Sequence, residues 1–253
     1  MIQVVCIKQV ADTETRVKVG ADGKTLDPAG VTWILNPYDE FAIEQALLVK
    51  EGGAGGEVVV LSVGGQGVQT TLRNALAMGA DRAIHLRADA SADPFAVAQA
   101  IAAELRELAP SLVWFGRQAV DDDAAQVGPM TAELLGFPCV TVIAKFTLLG
   151  DAGAAKLEVE REIEGGRERV EVTLPAVLTT DKGLNAPRYA SLKGIMAAKK
   201  KTIEEKPAAL GDAGLEVVAL ELPAARGAGR IIGEGAAAVP ELVRVLREEA
   251  RVI

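Results

Sequence analysis

The chain has few of the side chains that enzymes most often use for chemistry. Its 253 residues include one histidine, His85, and two cysteines, Cys6 and Cys139. One imidazole and no Cys-x-x-Cys pair leave no metal-ligand set. The cysteines lie far apart, each inside an apolar strand-like segment, which suits reduced core residues rather than a bridge. There is no Gly-x-Ser-x-Gly elbow and no phosphate-binding P-loop, so group transfer by the chain's own side chains is not expected. A redox role would need an organic cofactor.

Other scarcities narrow the class further. No apolar run approaches the roughly 20 residues that cross a bilayer. The chain opens directly on the strand-like MIQVVCIKQV without signal or transit features, so a cytoplasmic, non-membrane protein is expected. A formal net charge of −8 argues against a nucleic-acid binder, since phosphate contacts need clustered cations. Aromatics make up 4% of residues against 49% hydrophobic overall, so the core has to be built from Val, Leu, Ile and Ala.

Strand and helix patterns alternate along most of the chain. Ile2–Lys8, Glu57–Val63, Ala83–Leu86, Ser111–Gly116 and Phe137–Ala144 read as buried strands. Arg16–Leu26 reads as a short hairpin turning at Ala21-Asp22-Gly23. Helices are predicted after Asn36-Pro37, after Gly64-Gly65-Gln66-Gly67, after Asp93-Pro94 and over Ala124–Leu135. Asn36 is the expected N-cap of the first, with Pro37 at its first position and Asp39 and Glu40 near the positive dipole end. This alternation predicts an α/β fold: a doubly wound, mostly parallel, Rossmann-like sheet of the adenine-nucleotide-binding kind. Period-two alternation over Leu157–Ile163 and Val170–Leu174, around Gly165-Gly166, adds an antiparallel hairpin.

After Thr202 the composition turns to Ala, Gly and Pro, with one strand-like piece at Glu216–Leu222 and an amphipathic helix at Val239–Arg251. The expected division is a domain over residues 1–204 and a C-terminal arm over residues 205–253 that packs on another chain.

Ligands of open parallel sheets bind beyond the carboxyl ends of the strands. The most distinctive such end is Gly116–Gly128, GRQAVDDDAAQVG, running from a strand into a helix N-terminus where free amides favour an anion. A phosphate there would lie on the amides of Ala124–Val127, beyond the three carboxylates. Asp121–Asp123 would cap the helix, or accept from ribose hydroxyls and an adenine amino group. Gly64-Gly65-Gln66-Gly67 lacks the rest of a dinucleotide fingerprint and is a weaker candidate.

A second distinctive stretch is Asp181–Glu204, DKGLNAPRYASLKGIMAAKKKTIE, whose Gly, Asn and Pro mark a loop that exposes Leu192. The basic cluster Lys199–Lys201 is short and local, and suggests an acidic protein partner at most. The order LNAPRYASLKGIMAAKKKTIE closely resembles the recognition loop of the electron transfer flavoprotein β subunit. The likeness extends over nearly the whole chain through ILNPYDEFAIEQA (34–46), ALAMGADRAIHL (75–86), GRQAVDDDAAQVGPMTA (116–132) and VEREIEGG (159–166).

The resemblance implies one half of a heterodimer with an α subunit that holds most of an FAD. This chain would hold a structural AMP. Carried over position by position, the AMP site comprises Cys6, Asn36, Pro37, Tyr38, Asp39, Val63, Gly116, Gln118, Ala119, Asp122, Asp123, Ala125, Gln126 and Val127. Where the family often has Asn-Gln-Thr, this chain has Ala125-Gln126-Val127, leaving Gln126 and backbone amides for the phosphate. Glu162 matches an acid towards the flavin.

Leu184, Pro187, Arg188, Tyr189, Leu192, Ile195 and Met196 form the implied docking set. Acyl-CoA and related dehydrogenases would donate electrons there, and a quinone oxidoreductase would receive them. The alternatives are a bifurcating relative with a second FAD in place of AMP, a stand-alone adenine-nucleotide module resembling universal stress proteins, and a purely structural subunit.

Overall fold

Alternate residues of β1 (Ile2–Cys6) point to opposite faces, and both faces are covered. Val5 joins a core with the helices of one layer, while Val4 and Cys6 join a separate core on the other. The computed structural model describes residues 1–54, 56–88, 92–150, 156–225 and 227–253.

The parallel strands are β1, β4 (Glu57–Gly64), β5 (Arg82–Arg87), β6 (Leu112–Gly116), β10 (Ala176–Thr180) and the edge strand β11 (Ile203–Pro207). With β7 (Cys139–Leu149), β8 (Lys156–Ile163) and β9 (Gly166–Thr173) they form one sheet in the order β11-β5-β4-β1-β6-β10-β7-β8-β9. A separate antiparallel pair, β2 (Gln9–Ala11) with β3 (Trp33–Leu35), follows β1. One face is covered by α1 (Pro37–Val49), α2 (Val68–Met78) and α5 (Leu192–Lys200), the other by α3 (Pro94–Leu108) and α4 (Val127–Leu135). The doubly wound, mostly parallel sheet expected from the sequence is therefore present.

The chain leaves β1 towards β4 and β5, then returns to the other side of β1 as β6. That reversal puts the switch point between the carboxyl ends of β1 and β6. β7 does double duty. Its first half pairs parallel with β10, and after a bulge at which Val142 has φ 61° its second half pairs antiparallel with β8. The hairpin β8–β9 thus extends the sheet itself, in the register Glu160↔Arg169 and Arg161↔Glu168.

Several local expectations are corrected. The long strand reading of Ile2–Lys8 splits at Cys6, and Arg16–Leu26 makes only one antiparallel bridge, Val19↔Leu26. Glu216–Leu222 forms no strand, and its exposed residues touch the body at the Leu220 amide, which donates to the Gly23 carbonyl (2.8 Å). Ile203–Pro207 is instead the strand, paired with β5 at the sheet edge, so the sheet runs past residue 204 to Pro207. Charged residues and a terminal proline disguise it, as they do many edge strands. The last helix is shorter than expected: α6 (Val239–Arg244) continues as a wide turn only to Glu249. Cys139 is exposed at the start of β7 rather than in the core, while Cys6 is buried.

The connection from Thr180 to Ile203 passes from β10 to the far edge, over β6, β1, β4 and β5. It lies on the α1–α2 face. α5 approaches α2 so closely that a Cβ on Gly194 would stand 2.3 Å from the Ala77 carbonyl oxygen. Ser191 caps α5 by accepting from the Gly194 amide (3.0 Å), and Arg73 donates to the Ala198 and Lys201 carbonyls at its far end.

Candidate functional site

The switch point is organised by one buried carboxylate, Asp39, in the first turn of α1. Its Oδ2 accepts from the Lys8 amide just past β1 (2.7 Å). Its Oδ1 accepts from the Gly116 amide at the end of β6 (3.0 Å) and from Asn36 Nδ2 (3.0 Å). Burial pushes the Asp39 carboxyl up to about 7, against the opposing pull of the bonds from Lys8, Asn36 and Gly116. The buried Cys6 thiol beside it is pushed up by burial first and by the charge of Asp39 second.

Asn36 does not cap α1 with its side chain, contrary to expectation. Its Nδ2 also donates to the Gln118 carbonyl (2.9 Å) and its Oδ1 accepts from the Val120 amide (3.2 Å). The buried amide side chain is spent on the 116–127 loop because that loop has no helical partners of its own. Thr180 adds a third tie: its Oγ1 lies 3.2 Å from both the Tyr38 and Phe115 carbonyls.

The loop is not the helix start that its aspartates suggested. α4 begins at Val127, not Ala124, and no side chain caps it. Asp121 and Asp122 instead turn to Lys8 Nζ (2.9 and 3.1 Å). Asp123 Oδ1 accepts from Gln118 Nε2 (2.6 Å), and Asp122 Oδ1 from the Ala124 amide (3.1 Å). Burial opposes the Lys8 charge, yet the bonds to Asp121 and Asp122 hold its ammonium above the usual lysine range.

Asp123 and Ala125 adopt left-handed backbone, with φ 51° and 53°. Such conformations cost a non-glycine residue free energy and cluster where a loop is shaped for a task. Beyond them lie the exposed Gln126 and the first amides of α4, at Val127 and Gly128. Arg117 closes the far side: its Nη1 donates to Asp181 (2.9 Å) and its guanidinium lies 5.7 Å from the Tyr38 ring centroid.

The structure thus gathers Asn36, Pro37, Tyr38, Asp39, Gly116, Gln118, Ala119, Asp122, Asp123, Ala125, Gln126 and Val127 around the ends of β1 and β6. Val63 lies near the end of β4, and Cys6 is sealed in the core facing α3 and α4. Lys8 and Arg117 fall within stretches that the sequence pointed to, the end of the first strand and Gly116–Gly128, but were not among the residues expected to bind. Thr180 and Asp181 were not among the sequence candidates, because the β6–β10 pairing is what brings them to the site.

The long crossover presents a different surface. Tyr189 is 98% exposed, Leu192 83% and Met196 68%, with Ile195 beside them. Leu184 packs on the α1–α2 core instead, and Arg188 turns to α1. Lys199 and Lys200 occupy the last turn of α5, while Lys201 points inward to the Ala80 carbonyl. Glu162 is exposed on the outer hairpin, 3.2 Å from Arg167.

Among the described residues no group of His, Cys, Asp and Glu could hold a metal ion, and no helix is long and apolar enough to cross a membrane.

A doubly wound sheet whose switch point carries a braced, uncapped strand-to-helix loop defines a Rossmann-like α/β protein. The electron transfer flavoprotein domain matches residues 24–210. The chain is 44% identical to the electron transfer flavoprotein subunit beta of Bradyrhizobium diazoefficiens over 98% of each chain. It is 42% identical to that of Syntrophomonas wolfei over 89% of this chain and 87% of the relative. Against the Mus musculus subunit it is 40% identical over 98% and 97%. The chain belongs to the electron transfer flavoprotein family, among its β subunits.

Proposed function

We propose that this chain is the β half of a heterodimeric carrier. It accepts electrons from flavin dehydrogenases such as acyl-CoA dehydrogenases and delivers them to a quinone oxidoreductase. The observation that carries this reading is the surface of the 181–204 crossover. Leu192, Met196, Ile195 and Tyr189 stand exposed together on a segment otherwise fastened to the fold. Large apolar side chains held in one exposed patch suit brief docking to a complementary pocket.

The carboxyl-end site fits a structural AMP. Its phosphate would be met by the uncapped amides of Val127 and Gly128 and by Gln126, with no side-chain amide or hydroxyl at Ala125 or Val127. Lys8 offsets two of the three neighbouring carboxylates. Asn36 and Asp39 hold the loop and do not reach out of it. FAD, when bound, supplies the electron storage that no side chain here offers, and it would be held mainly by the α subunit with Glu162 towards it.

The arm supports a partner as well. Leu215, Val218, Leu222, Ile231 and the terminal Val252 and Ile253 are all more than half exposed. A segment this apolar and this uncovered suits packing on a second chain, with residues 1–204 as the nucleotide-binding domain and the arm as the subunit contact.

Native mass spectrometry of the chain purified from its own cells tests the proposal. A heterodimer with one FAD and one AMP is expected. Two FADs would move it to the bifurcating branch, and the chain alone or paired with itself would overturn it.

A further inference from the structure

Two of the residues expected in the docking surface do not face outward, and one of them is held unusually firmly. Arg188 is gripped by two carboxylates of the α1 region. Its Nε and Nη2 meet Glu44 Oε2 and Oε1 (2.8 and 3.0 Å). Its Nη1 and Nη2 meet Glu51 Oε1 and Oε2 (2.6 and 2.9 Å). The Arg188 amide donates to Glu44 as well (3.1 Å).

The Glu44 side chain is only 6% exposed, so its charge is satisfied by this arginine or not at all. One guanidinium thus forms two fork-to-fork pairs, the arrangement in which arginine fixes direction as well as distance. Three residues earlier, Asn185 Nδ2 donates to the Phe41 carbonyl (3.0 Å) and to Gln45 Oε1 (3.2 Å). The next residue after the arginine, Tyr189, is 98% exposed, and Ser191 starts α5 two residues later.

We infer that Arg188 is a positioning residue for partner docking: clamped by Glu44 and Glu51, it presents Tyr189 and the Leu192 face of α5 in one fixed orientation before any partner arrives. The inference rests on the docking surface proposed above. Without the clamp, the segment between Asn185 and Ser191 samples other orientations. A binding-competent state populated about one tenth of the time weakens apparent affinity roughly ten-fold.

The test uses the intact heterodimer with its flavin, an acyl-CoA dehydrogenase as donor, and Arg188→Gln, Arg188→Lys and Leu192→Ala. Flavin reduction is followed as carrier concentration varies, and amide hydrogen exchange is read over residues 182–192 without donor. Arg188→Gln is expected to raise KM for the carrier roughly ten-fold with kcat little changed, and to speed exchange across 182–192. Arg188→Lys, one cation without the double fork, falls between in both readouts. Leu192→Ala is expected to raise KM while leaving exchange as in the wild type.

Slower docking by Arg188→Gln with unchanged exchange would overturn the inference, because the arginine would then be touching the donor itself. Unchanged docking with Leu192→Ala still impaired would overturn it too. If Leu192→Ala docks normally, it is the docking surface that fails, and the inference fails with it.

Discussion

A Cβ on Gly116 would stand 2.4 Å from Asp39 Oδ1, so the last residue of β6 has no room for a side chain while that carboxylate bridges the sheet's switch point. The same Cβ would lie 2.7 Å from both the Tyr38 carbonyl carbon and its Cβ. Backbone on one side and a buried carboxylate on the other leave nothing flexible to give way. Gly116→Ala is expected to cost about 1–3 kcal/mol, as overpacking does, and to release bound nucleotide. Thermal unfolding and nucleotide content of the purified variant measure the two effects separately.

Asp39 makes stability depend on pH in an unusual direction for a carboxyl. Its folded-state value, raised from 3.8 to about 7, lies above the unfolded one. The stabilisation from its proton is therefore complete below about pH 4 and is lost as pH rises through 7. Relative to Asp39→Asn, the wild type should lose on the order of a few kcal/mol between pH 4 and 8. Denaturant unfolding of both proteins across that range reads the difference, and parallel curves would contradict it.

Lys8 should matter more to a ligand than to the fold. Its pairs with Asp121 and Asp122 are half-exposed, and such pairs contribute roughly 0.2–1 kcal/mol. Removing the cation leaves adjacent carboxylates beside any phosphate on the first turn of α4. Lys8→Gln is expected to keep its Tm within a few degrees and to retain markedly less AMP after dialysis.

Leu192 is 83% exposed in the free chain and is the largest aliphatic contribution of the proposed docking surface. Burying a leucine is worth about 1.5–3 kcal/mol, which corresponds to roughly ten- to hundred-fold in affinity. Leu192→Ala should therefore slow electron uptake from an acyl-CoA dehydrogenase at limiting carrier, with FAD content unchanged. Equal rates for mutant and wild type would remove the anchor.

The fold was legible where one periodicity dominated. Buried apolar runs announced β1, β4, β5 and β6. Asp93 before Pro94 marked the start of α3, where its carboxylate does accept from the Ala96 amide (2.7 Å). Legibility failed where a residue had two possible uses. Asn36 and Asp121–Asp123 all have helix-capping chemistry, but each was drawn to another partner: Asn36 to Gln118 and Val120 and Asp121 and Asp122 to Lys8, all remote in sequence, and Asp123 to Gln118 within its own loop. β11 was hidden because an edge strand can be polar, and Ile203–Pro207 carries Glu204, Glu205 and Lys206. Arg188 matched the docking motif by position, but only the placement of α1 shows Glu44 and Glu51 waiting for it.

The crossover that carries α5 is also a strap across the sheet. Between β10 and β11 lie five inter-strand steps, or about 24 Å at roughly 4.8 Å each. Nine of its residues are wound into α5 and advance only about 1.5 Å apiece. The other thirteen residues of 181–202, at roughly 3.3 Å each when extended, could reach about 43 Å, well beyond that breadth. The surplus is taken up by the fastenings to α1 and α2. Short deletions or insertions between those fastenings should therefore leave β11 paired with β5 and change only how the exposed face is presented. Such a strap is held by its fastenings, not by its length.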